Sequence, residues 1–192
     1  MAAADSCHAL ARIGDVSTPE PLRPESDSEL VKAARLGDHR SFDSLYARYS
    51  RMVHGILLSR VPSSEAEDLV QDVFFAAWRR LATLRDSNAF GGWLAMIARN
   101  RAADYHREAR PTLALPDELA SSNPPHLEAA SVLETIRSLP EAYRETMILR
   151  LVEGMTGPEI AVQTGLTPDS VRVNLHRGMK LLRAALGMEA RP

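Results

Sequence analysis

Residues 84–107 combine the two kinds of side chain that bind unpaired nucleic-acid bases. Phe90, Trp93 and Ile97 recur at the spacing of one helical face, which predicts an amphipathic helix with Arg101 on another face. Aromatic rings stack on bases and cations attract phosphates, so the pattern favours a surface for single-stranded nucleic acid. The alternative is an ordinary helix that buries its apolar face and exposes its charges.

A second candidate surface lies on residues 64–81, where Ser64 and Glu67 have the spacing of a helix-capping box. One face of this predicted helix is apolar. A different face mixes acidic and amide groups with large aromatic rings: Asp68, Gln71, Asp72, Phe75 and Trp78. Protein docking surfaces are rich in aromatic residues within a polar rim, so this face is a candidate protein-binding site. A purely solvated face remains the alternative.

A third candidate surface lies on residues 158–186, which predict two helices joined by a turn that contains glycine. Thr167 suits the N-cap of the second helix and Pro168 its first position. This pattern is typical of a helix-turn-helix, whose second helix enters the major groove of DNA. The outward positions of that helix are basic or amide: Arg172, Asn174, His176, Arg177, Lys180 and Arg183. Arginine matches guanine and asparagine matches adenine, so the early positions could read bases. A solvated helix of an ordinary bundle is the alternative.

The elements that must position these side chains are all predicted helices. We therefore expect an all-α fold of two small helical domains, at residues 26–108 and 129–187, joined by a flexible linker. Prolines without sustained periodicity predict a disordered leader at residues 1–25. A stretch with several prolines and few cations predicts the linker at residues 109–128.

The composition limits the possible functions. A net charge of -2 over 192 residues argues against a general nucleic-acid coat, so DNA contacts must be local or supported by a partner. No apolar run approaches about 20 residues and the N-terminus lacks a signal peptide, so we expect a cytoplasmic protein without membrane insertion. The single cysteine, Cys7, cannot form an internal disulfide, and with His8 it does not complete a metal site. We expect no metal and no cofactor.

Two other functions compete with a DNA-binding protein that needs a partner. An autonomous helix-turn-helix repressor or activator would require a dimerisation surface, and it leaves the acidic and aromatic face unexplained. A metal-dependent nuclease is the other rival, with the candidate ligands Asp68, Asp72, His54 and His106. No second carboxylate cluster completes such a site, so we do not expect an enzyme.

Three strings of the chain resemble bacterial sigma factors of the extracytoplasmic-function (ECF) type, which consist of sigma domains 2 and 4. The strings are EDLVQDVFFAAW at 67–78, AFGGWLAMIARNRAADYHR at 89–107 and LPEAYRETMILRLVEGMTGPEIAVQTGLTPDSVRVNLHRG at 139–178. They stand in the family's order with a tether between them, and the resemblance covers about residues 28–107 and 133–186. It implies a transcription initiation factor.

The resemblance gives each candidate surface a role. It implies that the clamp coiled coil of the largest RNA polymerase subunit contacts Asp68, Gln71, Asp72, Phe75 and Trp78. It implies that the minus-ten element, with one base flipped out, contacts Leu84, Asn88, Phe90, Trp93, Asn100, Arg101 and Arg107. Trp93 is an equally good core residue. It implies that the minus-thirty-five element contacts Arg172, Val173, Asn174, His176, Arg177 and Lys180. Many relatives have Ser and Arg in place of Val173 and Asn174, so a different base preference is expected.

The resemblance also implies partners. The first is core RNA polymerase, contacted through the clamp coiled coil and through the flap of the second-largest subunit. The second is promoter DNA. The third is an anti-sigma factor, which holds the protein inactive until a stress or envelope signal arrives. Two weak contacts with DNA become effective when one polymerase surface holds both domains. We therefore expect the free protein to bind promoter DNA poorly.

Overall fold

The computed structural model of this chain describes residues 26–108 and 124–188. Within these ranges the chain forms eight α-helices and no strand, so the all-α prediction is confirmed. In chain order the helices are α1 (Asp27–Arg35), α2 (His39–Leu58), α3 (Ser63–Arg80), α4 (Phe90–Glu108), α5 (Pro124–Ser138), α6 (Glu141–Leu151), α7 (Gly157–Thr164) and α8 (Pro168–Ala185). Two single 3₁₀ turns, Leu81–Thr83 and Ser87–Ala89, connect α3 to α4.

The outer segments of the prediction are only partly described. The leader predicted at residues 1–25 and residues 109–123 of the predicted linker lie outside the described ranges. The last residues of that predicted linker, from Pro124, already belong to α5. Across the described part of the chain, no helix is both long and apolar enough to cross a membrane.

Helix α2 forms the centre of the first domain, where it packs against α1, α3 and α4. Its buried residues follow a helical stripe that includes Leu45, Tyr49 and Ile56. The Tyr49 hydroxyl donates a hydrogen bond to Asp27 of α1. Burial, together with that hydrogen bond, raises the pKa of Tyr49. The aromatic and aliphatic residues of α2 therefore anchor the whole domain.

Side-chain caps begin four of the described helices, α1, α2, α7 and α8, but one predicted cap is wrong. Helix α3 begins at Ser63 after an extended Pro62, with no side-chain cap. Ser64 therefore lies inside the first turn, where its hydroxyl is 3.4 Å from Glu65 and not bonded to a backbone N–H. Complete capping boxes, in which side chain and backbone bond reciprocally, start α1 at Ser26 and α7 at Thr156.

The second domain is built around the contact between α6 and α8. Gly178 of α8 allows this contact, because a Cβ at that position would lie 2.7 Å from Cγ of Met147. The turn between α7 and α8 follows the prediction: Gly165 has a φ of 74°, and the Thr167 side chain accepts a hydrogen bond from the backbone N–H of Ser170.

The two domains pack directly against each other, an arrangement that the sequence did not predict. Helices α6 and α7 lie on α2 and α4. The backbones approach closely at two glycines: a Cβ on Gly55 would lie 2.6 Å from Cδ2 of Leu149, and one on Gly91 would lie 2.6 Å from the carbonyl oxygen of Gln163. Arg137 strengthens the contact by donating hydrogen bonds to two carbonyl oxygens at the end of α2 and the turn after it.

Candidate functional site

The predicted docking surface on α3 is exposed at four of its five positions. We call these four residues the α3 face: Asp68, Gln71, Asp72 and Phe75. The Phe75 ring is 64% exposed, which is unusual for a large aromatic side chain on a packed helix. The Arg79 guanidinium lies 5.6 Å from the centre of that ring. Successive turns of one helix position the α3 face, and it has the composition of a protein-binding surface.

Trp78 differs from its neighbours on the predicted docking surface of α3. It is half-buried, its ring stacks on His39 at 5.0 Å, and it meets Phe42 edge to face at 4.8 Å. Because both partners belong to α2, Trp78 joins the two helices and forms the floor of a shallow aromatic groove beside the α3 face. Tyr46 of α2 is 41% exposed in the same groove.

Two of the predicted minus-ten residues, Phe90 and Leu84, are buried in this structure. Phe90 is fully buried, with its ring edge-on to Tyr49 at 5.2 Å. Leu84 is 6% exposed, and its carbonyl oxygen accepts a hydrogen bond from Arg35. Both side chains hold the connection between α3 and α4 against α1 and α2. Trp93 is half-buried against the core, with its ring 5.9 Å from Phe90.

The other predicted minus-ten residues reach the surface at least in part. Asn88, Asn100 and Arg107 are exposed. Asp86 orients the first of them, since its carboxylate accepts hydrogen bonds from the Asn88 backbone N–H at 2.9 Å and from the Asn88 amide at 3.1 Å. Arg107 forms an ion pair with Asp104 one helical turn earlier. These polar groups can reach nucleic acid without unfolding the domain.

Arg101 connects two surfaces that the sequence treated as separate. Its Nε and Nη2 atoms donate to one Asp72 oxygen at 3.1 and 3.0 Å, and its Nη1 donates to Glu108 at 3.3 Å. Burial tends to lower the pKa of Arg101, but the hydrogen bonds and charges of the two carboxylates outweigh it and raise that pKa. A residue predicted to bind DNA is therefore paired with one predicted to bind polymerase.

The recognition helix α8 presents most of its predicted residues to solvent. Arg172, His176, Arg177 and Lys180 are exposed, and Val173 is 39% exposed. Asn174 is half-buried. Val173 and Asn174 line a cleft of about 730 Å³ between α8, α6 and the first domain. Part of the face predicted to contact bases thus turns toward the first domain in this arrangement.

The candidate nuclease ligands do not converge. His54 is bonded to Glu153, His106 lies 2.7 Å from the Arg60 carbonyl oxygen, and Asp72 is paired with Arg101. Among the residues that the structure describes, no group of three or more His, Cys, Asp or Glu side chains could hold a metal ion.

Comparisons with known proteins identify the family. Residues 45–112 match the profile of Sigma-70 region 2, and residues 129–182 match that of Sigma-70, region 4. The ECF RNA polymerase sigma-E factor of Escherichia coli strain K12 is 31% identical over 176 residues, which cover 82% of this chain and 92% of that protein. The chain belongs to the ECF sigma factors. Sigma factors are transcription initiation factors, so the function implied by the sequence resemblance is confirmed.

Two further likenesses agree with this assignment. The ECF RNA polymerase sigma factor BldN of Streptomyces coelicolor is 30% identical to this sigma factor over 188 residues, 88% of this chain and 71% of BldN. A chain in the structure of CnrH in complex with the cytosolic domain of CnrY has a TM-score of 0.62 and 28% identity. The likeness covers 86% of this sigma factor and the whole of that chain.

Proposed function

We propose that this sigma factor binds core RNA polymerase through the α3 face, with the aromatic groove beside it as a further contact. The exposed Phe75 ring is the observation that carries the proposal. An aromatic side chain within a polar rim is typical of the residues that contribute most to a protein interface. Asp68, Gln71 and Asp72 supply that rim, and their charges suit a basic partner surface such as part of the polymerase clamp.

The proposed minus-ten surface consists of exposed polar groups on α4 and in the connection before it. Asn88, Asn100 and Arg107 are the residues placed to contact the unpaired strand, and Arg101 joins them when it leaves Asp72. Phe90 and Leu84 act as positioning residues, because their burial fixes the connection that carries Asn88. Trp93 supports α4 from below, with part of its ring accessible to a base.

The proposed minus-thirty-five surface is the outer face of α8. Arg172, His176, Arg177 and Lys180 are available there, and helix α8 has the N-terminal cap and early basic residues of a recognition helix. Val173 and Asn174 become fully available once the second domain moves away from the first. We propose that the domains act over residues 26–108 and 129–187, with the second also contacting the flap of the second-largest subunit.

The two DNA surfaces depend on polymerase for affinity. Each carries few free cations, and binding to one large partner turns the second contact into an intramolecular event. The protein thus acts where RNA polymerase acts, in the cytoplasm, as a binding protein with no chemical step of its own. We further propose an anti-sigma factor as inhibitor, since the related CnrH chain has been solved in complex with the cytosolic domain of CnrY.

Run-off transcription with core polymerase tests the proposal. Phe75→Ala should weaken core binding about 30-fold or more, the effect of losing a main interface aromatic. Leu36→Ala is the matched control, because Leu36 is 90% exposed and lies at the end of α1. Arg177→Ala should keep core binding and reduce transcription from the cognate promoter. Core binding by Phe75→Ala equal to that of wild type would refute the α3 face as the docking site.

A further inference from the structure

Glu145 of α6 is a buried carboxylate held by two arginines of the other domain. It is 7% exposed. Arg99 of α4 approaches it in the bidentate manner, with Nε 3.1 Å from one carboxylate oxygen and Nη2 2.7 Å from the other. Arg60, just after α2, donates from Nη2 to the first of these oxygens at 3.2 Å. Two guanidinium groups thus converge on one anion.

The arginine pair (Arg60 and Arg99) retains a hydrogen-bond donor that the second domain does not use. The side chains of Arg60 and Arg99 are 22% and 30% exposed, so both reach the edge of the interdomain cleft. The Nε atom of Arg60 is enclosed and has no hydrogen-bond partner. Arg60 also pairs with Glu141, which is itself 71% exposed. A carboxylate therefore occupies the site without satisfying every donor.

We propose that the arginine pair is a binding site for a phosphodiester group of promoter DNA, and that Glu145 occupies this site while the two domains are packed together. A phosphate offers the same pair of adjacent acceptor oxygens that a carboxylate offers, and arginine binds both in bidentate fashion. The inference rests on the proposed function, because it requires a chain that engages promoter DNA. Neither arginine belongs to the surfaces proposed above.

The position of the site supports DNA as its ligand. Arg99 precedes Asn100 on α4, so the arginine pair lies beside the helix that carries the proposed minus-ten surface. Val173 and Asn174 of the recognition helix line the same cleft. Movement of the second domain toward the minus-thirty-five element would remove Glu145 and Glu141 together. Two unpaired arginines would then remain at the surface, and unpaired charges in partly buried positions strongly favour a new counterion.

Promoter binding by the holoenzyme at several salt concentrations tests the site directly. Arg60→Gln and Arg99→Gln should each lower promoter affinity roughly tenfold, as expected for a charged hydrogen bond. Because both arginines contact the same phosphate, the double substitution should reduce the slope of log affinity against log salt by about 0.9, the value for one duplex phosphate contact. Arg40→Gln is the matched control, since Arg40 lies at the opposite end of α2, about 30 Å away at 1.5 Å per residue. It removes the same charge and should change neither quantity.

Each outcome of this experiment has a defined meaning. Promoter affinity equal to that of wild type in both single variants, with an unchanged salt slope in the double variant, would overturn the proposal. Loss of core polymerase binding in place of promoter binding would assign the arginine pair to protein docking, which also overturns it. Failure of the wild-type chain to bind core polymerase would instead refute the proposed function, so the two failures are distinguishable.

The free protein tests the role of Glu145. Glu145→Gln keeps the shape of the side chain but removes its charge and replaces one of its two acceptor oxygens with an NH2 donor. It should raise the affinity of the free chain for promoter DNA roughly tenfold, and adding Arg99→Gln should abolish that gain. An unchanged affinity in Glu145→Gln, or a gain that survives the second substitution, would contradict occupation of the arginine pair by Glu145. Circular dichroism confirms that the variants remain folded.

Discussion

Substituting Gly55 with alanine should separate the two domains without damaging either. The new Cβ would lie 2.6 Å from Cδ2 of Leu149 and 2.9 Å from Cγ of Glu153, both on the second domain. Carbon atoms in contact prefer about 3.5–4.0 Å, so the facing side chains must retreat by about 1 Å. Overpacking of this size costs about 1–3 kcal/mol.

The same substitution stabilises α2 itself. Alanine is favoured over glycine inside a helix by about 0.8–1.0 kcal/mol, and this gain applies whether the domains are packed or separate. Only the packed state carries the overpacking cost. The ratio of packed to separated chains should therefore fall about 5- to 150-fold, the range that corresponds to 1–3 kcal/mol.

Fluorescence energy transfer between the domains measures this change. Dyes can be attached through Leu36→Cys and Met188→Cys, since both positions are exposed and lie on different domains. The natural Cys7 is replaced by serine to keep the labelling specific. Transfer efficiency should fall in Gly55→Ala, while the thermal unfolding of the helices should remain cooperative.

Gly92→Ala is the matched control. It is also a glycine within a helix that faces the second domain, but its Cβ would lie 3.6 Å from Cα of Gly165, an ordinary contact distance. Transfer efficiency in this variant should equal that of wild type. If Gly55→Ala also keeps the wild-type efficiency, the close contact between α2 and α6 does not hold the domains together, and our account of the interface is wrong.

Three further predictions concern single side chains. The hydrogen bond to Glu153 raises the pKa of His54 above its ordinary 6.5 despite burial, so this pair favours domain packing below pH 6.5 and loses its effect as pH rises through the raised pKa. Energy transfer between the domains should fall over that window in wild type and less so in His54→Gln. Phe90→Ala should lower the free energy of unfolding by about 3–5 kcal/mol in urea titrations, because the ring is fully buried. Thr167→Ala should cost about 1 kcal/mol by removing the N-cap of α8, and calorimetry would detect it as a lower unfolding temperature.

Local sequence signals predicted the turn before α8 and the start of α8 well. Thr167 and Pro168 placed the start of α8 correctly, and Gly165 marked the turn before it. These signals act between residues close in sequence, so their chemistry is visible without tertiary information. The exposure of Phe75 was predicted for the same reason, since the apolar stripe of α3 left it on a different face.

The sequence could not predict the packing of aromatic side chains that lie between several helices. Phe90 has the type and position of a base-stacking residue, but Tyr49 and the rest of the first core enclose it. Trp78 is half-buried because its ring packs on His39 and Phe42 of α2. Periodicity within one helix carries no information about such partners.

The packing between the domains left one signal that sequence analysis could have used, the uninterrupted apolar run Met147, Ile148 and Leu149. Helix α6 buries five consecutive residues, from Glu145 to Leu149. A helix that is buried all round requires neighbours on more than one side, and the second domain alone is too small to supply them. The choice of partner helix could not be predicted, because it depends on the shapes of α2 and α4 around Gly55 and Gly91.

The ion pair between Asp72 and Arg101 sets an order of events. A basic group of the polymerase at Asp72 would compete for the charge of that carboxylate with the guanidinium of Arg101, which Asp72 now holds 3.0 Å away. Under the roles proposed above, polymerase bound at α3 should weaken the hold of Asp72 on Arg101 and make its guanidinium more available to the melted strand. Polymerase binding would then precede the contact between Arg101 and the melted promoter strand.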